Sequence, residues 1–235
     1  MTSKTKPAAE ARIWERDEAA DLAEMRRMMV EHQIRERGIV SPRVLEAMRA
    51  VLRHEFVPRE FLILAYDDQP LPIGEGQTIS QPFMVAAMTE ALELAGPERV
   101  LEVGAGSGYQ AAILALLAQE VHTVENHEAL AHEAEERLAR LGYGNVTVHI
   151  GDGTLGLAEL APFDAILVTA AAPRVPPPLV EQLSEGGRLV IPVGAAHQQE
   201  LIRLRKHGDR TTEEILHYCR FVPLVGRYGW SSERA

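Results

Sequence analysis

The sequence predicts an α/β fold with a doubly wound, mostly parallel sheet. Three observations predict it. From Pro82 onward, helical stretches alternate with short apolar strands. One strand runs straight into a glycine-rich turn and then a helix. The last forty residues change character, with two strand-like runs separated by the turn HGDR. Strand-helix-strand succession of this kind implies a parallel sheet with right-handed crossovers.

Each element follows in order. Residues 1–20 are polar and rich in Ala and Glu, and read as a tail. A helical pattern from about Asp17 to Arg37 runs through Leu22, Met25, Met29 and Ile34, and Gly38 stops it. Ser41-Pro42 opens a second helix as cap and first-turn proline, with Val44, Leu45 and Met48 on its apolar face. A short third helix is expected after Pro58. Residues 65–80 are loop-like, and too long to be a plain connector. A helix over 82–94 ends at Gly96-Pro97. Strands are expected at 99–103, 120–125, 146–150, 163–168 and 186–193, with helices at 107–117, 128–141 and 176–183. LIRLRKH and EEILHYCRFVPL then read as an antiparallel hairpin added to the sheet edge. Residues 21–235 form one domain on this reading: a helical cover and loop (21–80), a core (81–195), and a hairpin with its tail (196–235).

Composition narrows the function classes. A chain of 235 residues buries roughly 70% of its unfolded surface, so it needs no staple. Cys219 is the single cysteine and cannot form an internal disulfide, which suits a reducing compartment. No apolar run approaches the roughly 18 residues of a membrane span, and the N-terminus lacks the apolar segment of a signal peptide. A cytoplasmic chain with no membrane partner is expected; oligomeric state is not legible. The net charge of -10 argues against a nucleic-acid partner. His32, His54, His122, His127 and His132 show no metal-ligand spacing, so no metal is expected.

The chemistry concentrates in VLEVGAGSGY, residues 100–109. Gly104, Gly106 and Gly108 lie between strand and helix, where an open α/β sheet lets a ligand approach the backbone. A dinucleotide site wants a third glycine five positions after the first, and that position is Tyr109. Glu102 beside the turn would repel a pyrophosphate but suits a sulfonium and an ammonium. Glu125, about twenty residues on, is placed to accept both hydroxyls of a ribose. Asp152-Gly153, just past the next strand, sits where an acid would reach an adenine amino group. Asn126, next to Glu125, and Thr169, at the end of the following strand, are counted in the same pocket. Together these residues favour S-adenosylmethionine over a nicotinamide dinucleotide.

Several stretches resemble one family, the protein-L-isoaspartate O-methyltransferases. They are HEFVP (54–58), LPIGEGQTISQPFMVAAMTE (71–90), VLEVGAGSGYQAAILA (100–115), GDG (151–153), PFDAILVTAAAP (162–173), EGGRLVIPVG (185–194) and RFVPL (220–224). GQTISQP is the most specific of them. The resemblance implies a Rossmann-like S-adenosylmethionine-dependent methyltransferase that leaves S-adenosyl-L-homocysteine. It implies isoaspartyl-containing proteins and peptides as partners, esterified at the free α-carboxyl, after which the ester closes to a succinimide. It makes Ser80 the active-site position, as substrate contact or donor-orienting group, and puts Gln77, Thr78 and Ile79 in the donor pocket. Ser80 also reads as an ordinary cap of the helix after Pro82. Val222, Pro223 and Leu224 become, by the same resemblance, the edge along which the substrate backbone runs.

Overall fold

The computed structural model describes residues 19–231. The expected tail and the start of the first helix therefore lie almost wholly outside the described residues, as does the chain's end after 231. Five helices follow the first, α1 (residues 19–28): α2 (Pro42–Ala50), α3 (Pro82–Ala91), α4 (Tyr109–Ala115), α5 (Glu128–Arg140) and α6 (Pro177–Glu181). Seven strands form the main sheet: β3 (Arg99–Val103), β4 (Glu120–Glu125), β5 (Val146–Ile150), β6 (Phe163–Val168), β7 (Leu183–Ala195), β8 (Gln198–His207) and β9 (Arg210–Cys219). Their order is β5-β4-β3-β6-β7-β8-β9. The first five run parallel, and β8 and β9 are antiparallel. The chain winds outward from β3 through β4 to β5, then returns to β6 on the other side. That reversal opens a crevice at the carboxyl ends of β3 and its neighbours.

Strand pleating divides the core. Val100 and Val121 join the cluster under α3, α4 and the N-terminal helices, whereas Leu101, Val103 and Val124 join the cluster on the opposite face. Helix α3 is apolar all round, with every residue except Glu90 buried. It is sandwiched between the sheet and the N-terminal cover.

The expected fold is present, with local differences that have physical causes. The first helix loosens into a π-helical turn at Met29–Ile34 and a 3-10 turn at Arg35–Arg37 before Gly38, at φ 104°, ends it. After Ser41, which caps α2 as expected, the helix expected beyond Pro58 is 3-10 at Arg59–Leu64, preceded by another 3-10 turn at Arg53–Phe56. Residues 65–80 hold a small antiparallel hairpin, β1 (Leu71–Gly74) and β2 (Gln77–Ile79). Strands of four and three residues, one with a proline, lack the alternation that would announce them. Helix α4 starts at Tyr109 because Gly108 stands at φ 87° before it. Strand β7 begins three residues early and shortens α6.

On the face opposite α3, His122 of β4 lies against His149 of β5, Nδ1 to Nε2 at 3.1 Å. Burial and then the charge of His122 hold the His149 imidazole below its ordinary range. As pH falls below about 6.5 the unfolded chain takes up a proton that folded His149 resists, so stability drops with acidification. Thermal unfolding should therefore decline less between pH 7 and 5.5 in His149→Gln than in the wild-type protein. Equal declines would remove this pair as a cause.

Candidate active site

A cavity of about 490 Å³ opens at the carboxyl ends of β3, β4 and β6, within the range of small-ligand sites. Its floor is the glycine turn. Gly104 has φ 98°, and a Cβ there would collide with Oγ1 of Thr169, which donates to the Gly104 carbonyl at 2.7 Å. Gly106 has φ 51° and faces Cδ1 of Ile73, so the β1–β2 hairpin rests directly on the turn. Gly153 approaches the Val103 side chain too closely for any Cβ.

Glu125 ends β4 almost fully buried. Its Oε2 accepts from the Gly106 amide at 2.8 Å, and its Oε1 accepts from Asn126 and His127 amides at 2.9 and 3.0 Å. One carboxylate thus ties the turn after β3 to the turn after β4. A carboxylate offers about four acceptor positions, which leaves one free on Oε2.

The opposite wall is the hairpin with its continuation, Glu75 through Ser80. Ser80 lines the cavity but does not cap α3. The cap position is Gln81, without a side-chain cap bond, and the helix end is held from outside. Asp68 accepts from the Phe83 amide at 3.1 Å and from the Gln81 side-chain amide at 2.6 Å, and pairs with Arg37. The Arg37 guanidinium also lies 3.7 Å from the centre of the Phe83 ring. The loop carrying Asp68 is anchored in turn by Arg53, which is fully buried and donates to the carbonyls of Ala65 and Gln69.

The third wall is the tail. Val222 and Leu224 bond to Ala171 through backbone groups at 2.7 and 2.8 Å, and the Trp230 indole donates to the same Ala171 carbonyl. Among the described residues, the Pro223 carbonyl and the Val225 amide have no partner on the other side of this segment.

Gln77, Thr78, Ile79, Ser80, Gly104, Gly106, Glu125, Asn126, Gly153, Thr169, Val222, Pro223 and Leu224 all meet at this cavity. Two expected residues do not line it. Asp152 turns its carboxylate onto the Thr154 amide and hydroxyl and the Arg227 amide, so it secures the tail rather than facing the cavity. Glu102 is fully buried within the sheet, and neither of its oxygens has a hydrogen-bond partner. Burial, the dominant cause, pushes its carboxyl up to about 8; the Thr123 hydroxyl opposes this and Glu125 adds to it. A Glu102 that contacts the ligand as an ionised acid is therefore not what the structure shows.

Other lining residues went unmarked in the sequence: Glu75, Ser107, Tyr109, Gln110, His127 and Val225. Gln110 carried a signal, as the polar residue in the first turn of the apolar helix YQAAILA. Its amide nitrogen donates to Thr89 at 3.0 Å, while its carbonyl is buried without a partner.

The cavity's charge selects its ligand. Among the described residues, Glu75 and Glu125 line it, and no Lys or Arg does. Phosphate-bearing cofactors find no cation here, whereas a cationic nucleoside with a ribose fits a buried acid, bare backbone and unpaired acceptors. No metal-binding group of three or more His, Cys, Asp or Glu occurs among the described residues, and no helix is long and apolar enough to cross a membrane.

Comparison with known proteins agrees with this site. The sequence model of the protein-L-isoaspartate(D-aspartate) O-methyltransferase family matches residues 24–229. The protein-L-isoaspartate O-methyltransferase of Roseiflexus sp. (strain RS-1) is 59% identical over 214 residues, covering 91% of this chain and 98% of its own. That of Geobacter metallireducens (strain ATCC 53774 / DSM 7210 / GS-15) is 58% identical over 209 residues, covering 88% and 97%. A solved protein-L-isoaspartate O-methyltransferase superposes with a TM-score of 0.79 at 30% identity, over 87% of this chain and 67% of that one. A Plasmodium falciparum structure of the same description, in complex with S-adenosyl-L-homocysteine, gives 0.73 at 27% identity, over 84% and 96%. With a family match over nearly all the described residues and relatives above 50% identity along the same length, the chain belongs to the protein-L-isoaspartate(D-aspartate) O-methyltransferase family.

Proposed function

We propose that this protein moves a methyl group from S-adenosylmethionine to the free α-carboxylate of L-isoaspartyl residues in damaged proteins and peptides. The observation that carries the reading is one cavity in which the glycine turn, the GQTIS segment and the tail meet, in a chain of this family. When bound, the donor supplies an electrophilic methyl on a sulfonium. The acceptor, a main-chain carboxylate with pKa roughly 3.5, is already ionised at neutral pH. No general base is needed. What remains for the protein is alignment, exclusion of water, and donors to hold a partly desolvated anion.

Named residues fit these tasks. The free position on Glu125 Oε2 accepts one ribose hydroxyl, a narrower role than both. Ser80 lines the cavity and does not cap the helix, so its hydroxyl is the donor assigned to the acceptor carboxylate. The tail serves as a peptide edge: its inner side is fixed to Ala171, and its outer side offers the Pro223 carbonyl and the Val225 amide. Backbone pairing of this kind tolerates many sequences around the damaged residue. Proline at 223 removes one N–H from that edge and so discourages unwanted strand addition. A cytoplasmic setting accords with the single cysteine, Cys219, left as a half-buried free thiol.

Labelled methyl should pass from S-adenosylmethionine to an isoaspartyl peptide as a base-labile ester, and not to its aspartyl counterpart. Transfer to neither, with donor binding intact, would overturn the substrate. Ser80→Ala should lower kcat/KM by roughly a hundredfold, the scale of losing one aligned donor at the reacting anion, with donor affinity nearly unchanged. Matching losses in both would mean that Ser80 orients the donor. Asp68→Ala should cost about 1 kcal/mol of stability, typical for a lost helix cap. It should also lower kcat more than it raises KM, because Ser80 loses its support; an unchanged kcat would sever that link.

A further inference from the structure

Beneath the cavity floor lies a cluster of polar groups that the proposed mechanism leaves unused. Along β3, side chains alternate between faces, so Glu102 shares its face with Val100 and lies one pleat, roughly 7 Å, below Gly104. Thr123 is its partner across β4, and Glu125 stands one pleat above Thr123 on the same face. This is the face covered by α3 and α4, and α4 brings Gln110 to the cavity wall. Among the described residues, four buried oxygens here have no hydrogen-bond partner: both of Glu102, Oε1 of Gln110 and Oγ1 of Thr123. Thr89, from α3, is already engaged with the Val85 carbonyl and the Gln110 amide.

Three of those four oxygens, on Glu102 and Gln110, can only accept when Glu102 is ionised. A fully buried ionised carboxylate with only the Thr123 hydroxyl beside it as a donor costs several kcal/mol, so the empty site keeps Glu102 as the neutral acid. The elements packed here supply no cation to relieve it. Helix α3 presents Thr89, α4 presents Gln110 and Tyr109, and β4 presents Thr123 and Glu125, whose like charge opposes ionisation. The missing positive charge must come from the ligand.

We propose that Glu102 is a proton-exchanging counter-charge for the methyl donor. It is neutral while the cavity is empty, and it ionises, giving its proton to solvent, when S-adenosylmethionine brings in its sulfonium and ammonium, which leave the donor net positive despite its own carboxylate. Methyl transfer removes the sulfonium charge, so the carboxyl then holds the spent product less strongly than the donor. Glu102 acts through its field, which makes it a positioning and selectivity residue rather than a catalytic one. The proposal rests on the donor assignment made above.

The test is isothermal calorimetry of donor binding at pH 7 in two buffers of different ionisation enthalpy. The expected result is release of close to one proton per S-adenosylmethionine bound, and a smaller release with S-adenosylhomocysteine. Donor affinity should rise as pH increases through the neutral range, approaching roughly tenfold per unit where a full proton is released. Glu102→Gln, which matches the neutral acid in shape, should abolish the proton release and flatten the pH dependence while donor still binds. His127 also lines the cavity and serves as the control, since His127→Asn should leave the release intact. Donor binding without proton release, equal release with donor and product, or release that persists in Glu102→Gln would each overturn the proposal. The wild-type measurement stands without any variant. An absence of donor binding at every pH would instead overturn the donor assignment, and this inference with it.

Discussion

The three hydrogen bonds that backbone amides donate to the Glu125 carboxylate are the constraint on which the site depends. Two βα turns leave adjacent parallel strands with their N–H groups unpaired and their backbones in conformations with little intrinsic preference. One buried acid, fixed at the end of β4, pulls the amides of both turns onto itself. The glycines then follow as a necessity, since Gly104 has Thr169 against it and Gly106 has the hairpin. Had Glu125 been a surface charge, the Gly106 amide would lose its partner and the two turns their common anchor.

A second chain of support runs from the interior outward. Arg53 is a buried guanidinium that meets carbonyls instead of a carboxylate, and burial lowers its pKa. Its ion lies 4.9 Å from the ring centre of Tyr109, whose phenol burial pushes up to about 12. Charge is thus spent on shaping the 65–69 loop rather than on binding a ligand. The loop delivers Asp68 to the start of α3, and the GQTIS segment is stretched between that anchor and the hairpin. The reaction proposed needs placement more than acid-base chemistry, and the molecule invests its buried charges accordingly.

Most of the sheet was legible because its signals are local: apolar strands, a glycine turn, an intervening helix pattern. Helix ends were misplaced where a glycine at positive φ, such as Gly108, delayed the start. The site was legible where function and backbone coincide, as at Gly104, Glu125 and the GQTIS segment. It was misread where the reading depended on side-chain direction. Glu102 stands two residues before the turn, but pleating points it onto the face packed under α3 and α4 rather than into the cavity. Asp152 lies beside the cavity, yet three donors from Thr154 and Arg227 claim it. The Asp68 cap was invisible because its partners are 13 and 15 residues away, and no periodicity reports a loop reaching back to a helix end.

The tail has a consequence for how the molecule comes into being. Its wall of the cavity is made by residues 222–225, held by Asp152 through Arg227, by Thr154 through Tyr228, and by Trp230 closing onto Ala171. The floor and the hairpin wall are synthesised more than a hundred residues earlier. Until residues 222–230 dock, the cradle of floor and hairpin wall has one side open. A chain whose 222–230 segment has yet to dock keeps the glycine turn but has no peptide edge, so competence in the proposed repair waits on that docking.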